Sequence, residues 1–371
     1  MNMKIICLQE NLKEGLNLIQ GIVTKNNNLP ILNNILLETE QGQLKISSTN
    51  LEIAIQSWVV GKIESEGKIT IPAKTIVSYI NNLPKEKITL TVKNQILFLK
   101  CGKYKAQIKG LPADDFPIIP QLEEKPLVKL PSKMIKESLS KIIPISSSSE
   151  WRPEISGVLF KFQNHQLKLV ATDVSRLAEK TISNISEQKI DKEFILPQKS
   201  AYELMKILES KDDYFELTLN PNQVLFSLNK TQLVSRLIDG QYPDYQQIIP
   251  ADFVYKVVAN REELIKAINL SSIFSTKIND ISLVFKPGEN IIETCSENTE
   301  LGENKSNLEA DINSERNENL KIGFNFRFLL DGLNNIETEK VFLGLNNEES
   351  SVIIRPFNQL DYFYLVMPIK L

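Results

Sequence analysis

Chemistry in this chain would have to come from one histidine, three cysteines and scattered carboxylates. His165 sits in Gln163-Asn164-His165, between two strand-like runs, so it is expected in a hairpin turn. A Ser-His or Cys-His pair needs the base within hydrogen-bonding reach of its nucleophile, and a turn tip offers no such neighbour. Cys7, Cys101 and Cys295 are isolated, odd in number and without CxxC spacing. That argues against a disulfide framework or a zinc site and predicts buried free thiols in a reducing cytoplasm. The pairs Asp114-Asp115 and Asp212-Asp213 carry oxygens that a cation accepts, but adjacent residues on a strand or turn point apart, and solvated turn carboxylates explain them more simply. Thr172-Asp173 at a strand end can be read as catalytic; an Asp capping a turn accounts for it equally. There is no Walker A loop, no GxGxxG and no HExxH. These residues predict no catalysis, no metal and no cofactor.

The elements that carry them recur. KITIPAKTIVSYINNLP from Lys68, EFILPQKSAYELMKILES from Glu193 and KIGFNFRFLLDGLNNIE from Lys321 each read as a short strand, a turn residue and an amphipathic helix. Their starts lie 125 and 128 residues apart. Upstream of each sits a second amphipathic helix, within LQENLKEGLNLIQ from Leu8, LPSKMIKESLSKI from Leu130 and VANREELIKAINL from Val258. Downstream come GLPADDFPIIP, DGQYPDYQQIIP and YLVMPIKL. Solenoid modules repeat every ~20–50 residues, so this period marks a triplicated domain.

A chain of 371 residues, 42% of them apolar, can bury two or three cores. The apolar run near the N-terminus, Ile5 to Leu8, is too short for a signal-peptide core or a membrane span. Helices are predicted at 11–25, 73–82, 132–143, 198–209, 261–272 and 325–336. They hold eleven basic and seven acidic residues, a surplus of four positive charges within a net charge of −3. If they share a face, that face is mildly basic on an acidic body; ordinary solvated helix faces explain the same numbers. Between the helices lie short, β-branched or aromatic runs with hairpin turns at Lys93-Asn94-Gln95, Gln163-Asn164-His165 and Asn220-Pro221-Asn222. The polar stretch from Ser296 to Asn319 reads as a long hairpin arm. The fold class is α+β: three tandem domains, 1–125, 126–250 and 251–371, each with two helices packed on antiparallel sheet.

The motifs LPILNNILLE (29–38), GLPADDFP (110–117), RPEISGVLF (152–160), ATDVSRLA (171–178), DGQYPDYQQIIP (239–250), IGFN (322–325) and the terminal YLVMPIKL together resemble the bacterial sliding clamp family, the DNA polymerase III beta subunit, along the whole chain. The resemblance implies three DNA-clamp domains per protomer and a ring-shaped homodimer whose helices line a hole around double-stranded DNA. It implies a non-enzymatic processivity factor, cytoplasmic and without membrane attachment, holding its substrate by topology and through sequence-independent phosphate attraction. The implied partners are the replicative DNA polymerase, the clamp loader and repair proteins carrying a clamp-binding peptide.

The family's apolar peptide cleft maps onto Ile155, Thr172, Val174, Ser175, Arg176, Leu177, Pro243, Gln247, Ile248, Val366, Met367, Pro368 and Ile369. Val174 and Ser175 stand where the family usually has a small or polar residue and a histidine, and Gln247 where some members have arginine, so a more apolar, less basic rim is expected. The family's DNA-touching loops map to Lys25–Asn27 and Ser148–Glu154, with Lys25, Ser149, Arg152 and Lys199 as the DNA-facing residues. The ring seam maps to Lys103, Lys105 and Ile108 facing Ile273, Phe274, Glu300 and Glu303 of the other protomer, weakened by the small Ala106. Two other readings stay open: a monomeric platform that keeps the cleft without closing a ring, and an enzyme using surface carboxylates and a metal.

Overall fold

The computed structural model describes residues 3–23, 28–147, 151–208 and 214–370. One plan is used three times: strand, helix, a set of strands ending in a second strand–helix step, then a three-stranded meander. The first copy runs β1 (Lys4–Leu8), α1 (Gln9–Ile19), β2 (Asn34–Glu40), β3 (Gln43–Thr49), β4 (Ile53–Val59), β5 (Gly61–Ser65), β6 (Lys68–Pro72), α2 (Ala73–Asn81), β7 (Lys87–Lys93), β8 (Ile96–Cys101) and β9 (Tyr104–Lys109). The second runs β10 (Val128–Pro131), α3 (Ser132–Ile142), β11 (Gly157–Gln163), β12 (Gln166–Thr172), β13 (Arg176–Ser183), β14 (Lys192–Pro197), α4 (Gln198–Ile207), β15 (Tyr214–Leu219), β16 (Gln223–Leu228) and β17 (Thr231–Arg236). The third runs β18 (Tyr255–Asn260), α5 (Arg261–Ser272), β19 (Asp280–Lys286), β20 (Ile291–Asn298), β21 (Gly302–Ser314), β22 (Leu320–Asn325), α6 (Phe326–Asn334), β23 (Lys340–Leu345), β24 (Val352–Pro356) and β25 (Tyr362–Val366).

Local chemistry sets these boundaries. In α2 the buried residues are Ala73, Ile76, Val77 and Ile80, one face of a 3.6-residue period. Pro72, Pro131 and Pro197 end a strand directly before a helix, where a missing N–H costs no ladder bond. In the third copy Asn260 and Asn325 do this work, their side chains capping the N–H groups of Glu262 and Glu263, and of Arg327. The helices are shorter than sequence periodicity suggests. A 3-10 turn, Gln20–Ile22, ends the first, and Asn325 is the cap of α6 rather than part of it. Lys25 and Glu209, predicted as helix ends, lie outside the described residues, as do Asp212 and Asp213. Two hairpin turns are two-residue loops with both central residues left-handed, Asn94-Gln95 and Asn164-His165. The polar stretch after Ser296 is a hairpin: β20 and β21 pair from Ile291–Glu309 to Asn298–Gly302, and β21 continues to pair with β18.

The chain divides into two compact units. The first, 1–137 with 199–239, holds a five-stranded sheet, β5-β1-β7-β8-β9, and an eight-stranded one, β10-β15-β16-β17-β4-β3-β2-β6. Helix α1 lies so close to this second sheet that a Cβ on Gly15 would meet Ile46 Cδ1 at 2.8 Å. The other unit, 138–198 with 240–371, holds one twelve-stranded sheet, β14-β11-β12-β13-β25-β24-β23-β18-β21-β20-β19-β22. Sheets therefore run through the repeat boundaries, by β17 pairing with β4 in one unit and β13 with β25 in the other. All pairs are antiparallel, and the meander of the second copy falls in a different unit from its β11–β14. Cys7 and Cys101 are buried free thiols; Cys295 is half-buried.

Candidate functional site

The turn between β12 and β13 is built by its own side chains. Thr172 Oγ1 donates to the Arg176 carbonyl at 2.7 Å and accepts from the Val174 N–H at 3.2 Å. Asp173 Oδ1 accepts from the N–H groups of Ser175 and Arg176 at 3.1 Å each, so Asp173 caps a turn. This geometry puts Val174 in the left-handed region, with φ of +80°.

Arg176 reaches from this turn to α6. Its Nε donates to Asp173 Oδ2 at 2.8 Å, Nη1 to Asp331, and Nη2 to the Pro144 carbonyl at 3.4 Å, while the guanidinium stacks 4.5 Å from the Phe328 ring centroid. Burial disfavours its charge, but the hydrogen bonds to Asp173 and Asp331 outweigh that and hold it above the ordinary arginine range. Helix α6 is seated for this by Gly332, where a Cβ would lie 2.5 Å from the Tyr364 ring, and by Tyr364 Oη donating to the Phe328 carbonyl at 2.8 Å.

The segment after Gly240 is pinned from below. Tyr242 and Tyr245 are buried edge to face, with centroids 6.3 Å apart. Tyr245 Oη donates to Glu179 Oε2 at 2.6 Å, and Glu179 Oε1 accepts from Lys168 Nζ at 2.9 Å and Thr181 Oγ1 at 3.2 Å. Both oxygens of a carboxylate only 5% exposed are thus partnered, as burial demands. Burial and Glu179 push the Tyr245 phenol up, so it stays a donor. Ser351 Oγ donates to the Ile248 carbonyl at 3.1 Å, just before the strand residue, Val352, that pairs with Val366. Val366 pairs in turn with Arg176, the Met367 N–H bonds the Ser175 carbonyl at 2.8 Å, and the Ile369 N–H bonds the Gly323 carbonyl at 2.9 Å.

The β12–β13 turn, the 243–248 segment and the residues after β25 therefore meet within one unit. Ile155, Leu177 and Val366 are buried. Val174 (61% exposed), Ile248 (49%) and Met367 (36%) are exposed apolar residues on these three segments, with Gln247 exposed and Thr172, Ser175, Arg176, Pro243, Pro368 and Ile369 half-buried. This arrangement offers apolar contact, while Nε, Nη1 and Nη2 of Arg176 each donate an N–H, to Asp173, Asp331 and Pro144 in turn. Sequence reasoning missed Glu179, Tyr245, Phe328, Asp331 and Ser351.

Elsewhere the expected residues separate. Lys25 and Ser149 lie outside the described residues. Arg152 is paired with Glu154 at 3.3 Å. Lys199 is exposed at the start of α4; with Lys74 and Lys266 it has no ion pair among the described residues. Strand β9 is a sheet edge with Lys103 and Lys105 exposed beside it, but Ile108 faces the core opposite Leu97, only 7% exposed. Strand alternation turns its side chain inward within the single chain. In the other unit Ile273, Glu300 and Glu303 are exposed and Phe274 is half-buried, while residues 302–309 of β21 have β20 alone beside them. Among the described residues no cluster of three or more His, Cys, Asp or Glu could hold a metal, and no helix is long and apolar enough to cross a membrane.

Comparison with known proteins covers the whole chain. The family model described as DNA polymerase III beta subunit, N-terminal domain, matches residues 3–120; the central-domain model matches 129–244 and the C-terminal-domain model 246–370. The beta sliding clamp of Synechocystis is 30% identical over 100% of both chains. That of Bacillus subtilis is 28% identical over 99% of this chain and 100% of its own. The crystal structure of the DNA polymerase III subunit beta from Pseudomonas aeruginosa superposes over 100% of both chains with a TM-score of 0.94 at 28% identity. The DNA polymerase sliding clamp from Bacillus subtilis does so with a TM-score of 0.94 at 27%.

Proposed function

The chain belongs to the DNA polymerase III beta-subunit family, the bacterial sliding clamps, and from that premise we propose how its residues divide the work. It is a DNA polymerase processivity factor built of three tandem clamp domains, one that encircles DNA and tethers the polymerase. Family membership carries this: three domain matches in order, spanning residues 3–370. Tethering makes and breaks no bond, so it asks for shape and weak attraction rather than catalytic groups. We assign no enzymatic activity and no cofactor.

Two copies close into a ring by repeating what the chain does internally. At both repeat boundaries one strand edge pairs with another, β17 with β4 and β13 with β25. The edge of β9 and the open part of β21 are left for a neighbouring copy. Lys103 and Lys105 then face Glu300 and Glu303, with Ile273 and Phe274 as the apolar part, a heterologous contact that closes after two subunits. Ile108, on the same strand as Lys105, backs this edge from the core side. Lys199, Arg152, Lys25 and Ser149 face duplex DNA, attracting phosphates without reading bases.

The rim of Val174, Ile248 and Met367 over Ile155, Leu177 and Val366 is the cleft for a short apolar peptide. Such a peptide is carried by the replicative polymerase, the clamp loader and repair proteins. Adaptable methionine and aliphatic side chains suit a site shared by several related sequences. Bound to chromosomal DNA, the protein works in the bacterial cytoplasm.

The test is retention on DNA of defined topology. The protein is loaded onto nicked circular plasmid with a matching clamp loader and ATP, the complex is isolated, and half is linearised. Retention on circles with rapid loss from linear DNA is the expected result. Equal retention on both means adhesive binding and overturns the ring; retention on neither, with a proven loader, leaves a cleft-bearing platform that does not close.

A further inference from the structure

Because one plan is used three times, the outward faces of its sheets can be compared residue by residue. Three positions before the first helix of each copy stand Ile6, Lys129 and Val258, next to the buried Cys7, Leu130 and Ala259 and so on the opposite face. In the first copy the ladder carries this row on through Thr89, Lys100 and Lys105. In the second it runs through Glu216, Ser227 and Gln232. Both continuations are polar, as suits a face turned to water. In the third copy the row is Val258, Phe342 and Arg355. Phe342 is only 9% exposed: the Arg355 guanidinium lies 4.4 Å from its ring centroid, and Phe253 meets it edge to face at 5.8 Å. The shared fold does not call for this, since two copies do without it.

Arg355 is half-buried and its side chain makes no hydrogen bond or ion pair among the described residues. Burial holds its pKa below the ordinary arginine range, and no anion offsets that. The surrounding acids are out of reach or engaged. Asp311, in the same row, stands three strands away, about 14 Å of sheet. Asp252 pairs with Lys256 at 3.4 Å, and Asp361 pairs with Lys180. Arg355 lines an open groove of about 520 Å³ whose exposed apolar groups are Phe357 (38%) and Leu360 (75%). Asn313 from β21 and Asn358 from the β24–β25 turn line it too, with amides that can donate to and accept from a main chain.

We propose that this groove docks a partner protein through a peptide segment in which a carboxylate stands beside a large apolar side chain. The carboxylate takes the planar fork of Arg355 in two parallel bonds, and the apolar group packs against Phe357 and Leu360. One unpaired cation, with Asp311 across the groove, matches a single negative charge rather than a run of phosphates. The site lies on other strands than the rim of Val174, Ile248 and Met367, and it stands whether or not that rim accepts a peptide.

The test is to pan a random peptide library on the full-length protein and keep the sequences that bind Met367→Asp as well as wild type. Those sequences should be enriched in Asp or Glu next to Leu, Ile, Phe or Trp. Made synthetically and followed by fluorescence anisotropy, they should bind Arg355→Met about 10–100-fold more weakly, because the variant keeps an apolar stem on Phe342 and loses the fork. Leu360→Ser should weaken them about 3–10-fold. Replacing the peptide's acid by its amide should cost wild type as much as Arg355→Met does, and cost that variant little more. No enrichment of acidic–apolar sequences overturns the proposal, as do peptides that bind Arg355→Met as tightly as wild type. A lower Tm for Arg355→Met with unchanged peptide binding would assign Arg355 to packing on Phe342 alone. Acidic–apolar peptides that all fail on Met367→Asp would sit at the other proposed site, and the groove would be left without an occupant.

Discussion

Glu179 and Tyr245 are joined by a 2.6 Å hydrogen bond beneath the segment that carries Gln247 and Ile248. One residue belongs to β13, in the sheet; the other opens the turn Tyr245–Ile248. The proposed rim is thus anchored to the sheet by a buried acid and a phenol. Tyr245→Phe removes the donor and leaves Glu179 Oε2 unpaired in a buried site. It should cost about 1–3 kcal/mol of stability, read by urea denaturation, and weaken peptide binding without touching any peptide-facing atom. Binding that stays at the wild-type value would show the rim is held by Ser351 and backbone alone.

The seam is tested by charge. Glu300→Lys with Glu303→Lys places four lysines together at each junction and should shift the protein toward monomer in sedimentation velocity at low salt. Adding Lys103→Glu and Lys105→Glu restores opposite signs and should restore the dimer. Failure of the fourfold variant to recover would mean these residues do not face one another.

Arg176 offers a different kind of test. Lysine keeps the charge but cannot fork between Asp173 and Asp331 while lying flat on Phe328. Arg176→Lys should lose about 1–2 kcal/mol, less than a fully buried pair would, because half-exposed Asp331 is partly screened by water. A midpoint in urea equal to the wild type would mean that neither the fork nor the stacking contributes.

The thiols should be quiet. Burial pushes Cys7 up to about 12, and burial with the nearby Glu293 pushes Cys295 up to about 11. At pH 8 the thiolate fraction at these two sites is about one in a thousand or less. Alkylation of native protein by iodoacetamide should therefore be very slow and rise about tenfold per pH unit until the fold is lost. Fast labelling of Cys295 at pH 8 would contradict its environment.

The parts of this fold that could be read from sequence are those with local causes. Helix faces, the Asn-containing hairpin turns and the strand–proline–helix step each leave a signature within a few residues. The threefold order came from comparing the chain with itself. The division into two compact units was not legible. It depends on β17 meeting β4 and β13 meeting β25, pairings between strands 174 to 190 residues apart that have no local pattern. Glu179 was hidden for a related reason. A glutamate in a strand signals a solvated face, and only the phenol arriving from 66 residues away makes it an inside residue. Ile108 shows the reverse: alternation along β9 was available in the sequence and already placed it inward. The residues of the proposed cleft were named through family resemblance alone; the left-handed φ of Val174 was not legible, because it is set by bonds from Thr172 and Asp173 that composition does not reveal.

The pairing of β13 with β25 has a consequence for synthesis. β13 leaves the ribosome nearly two hundred residues before the strand that covers its edge, so a growing chain carries a bare ladder of N–H and C=O groups through the translation of its last domain. A product cut short before Tyr362 would expose that ladder together with the edge of β24, two adhesive surfaces on one fragment. A finished chain therefore differs from one cut short by a single strand, whose arrival closes both edges at once.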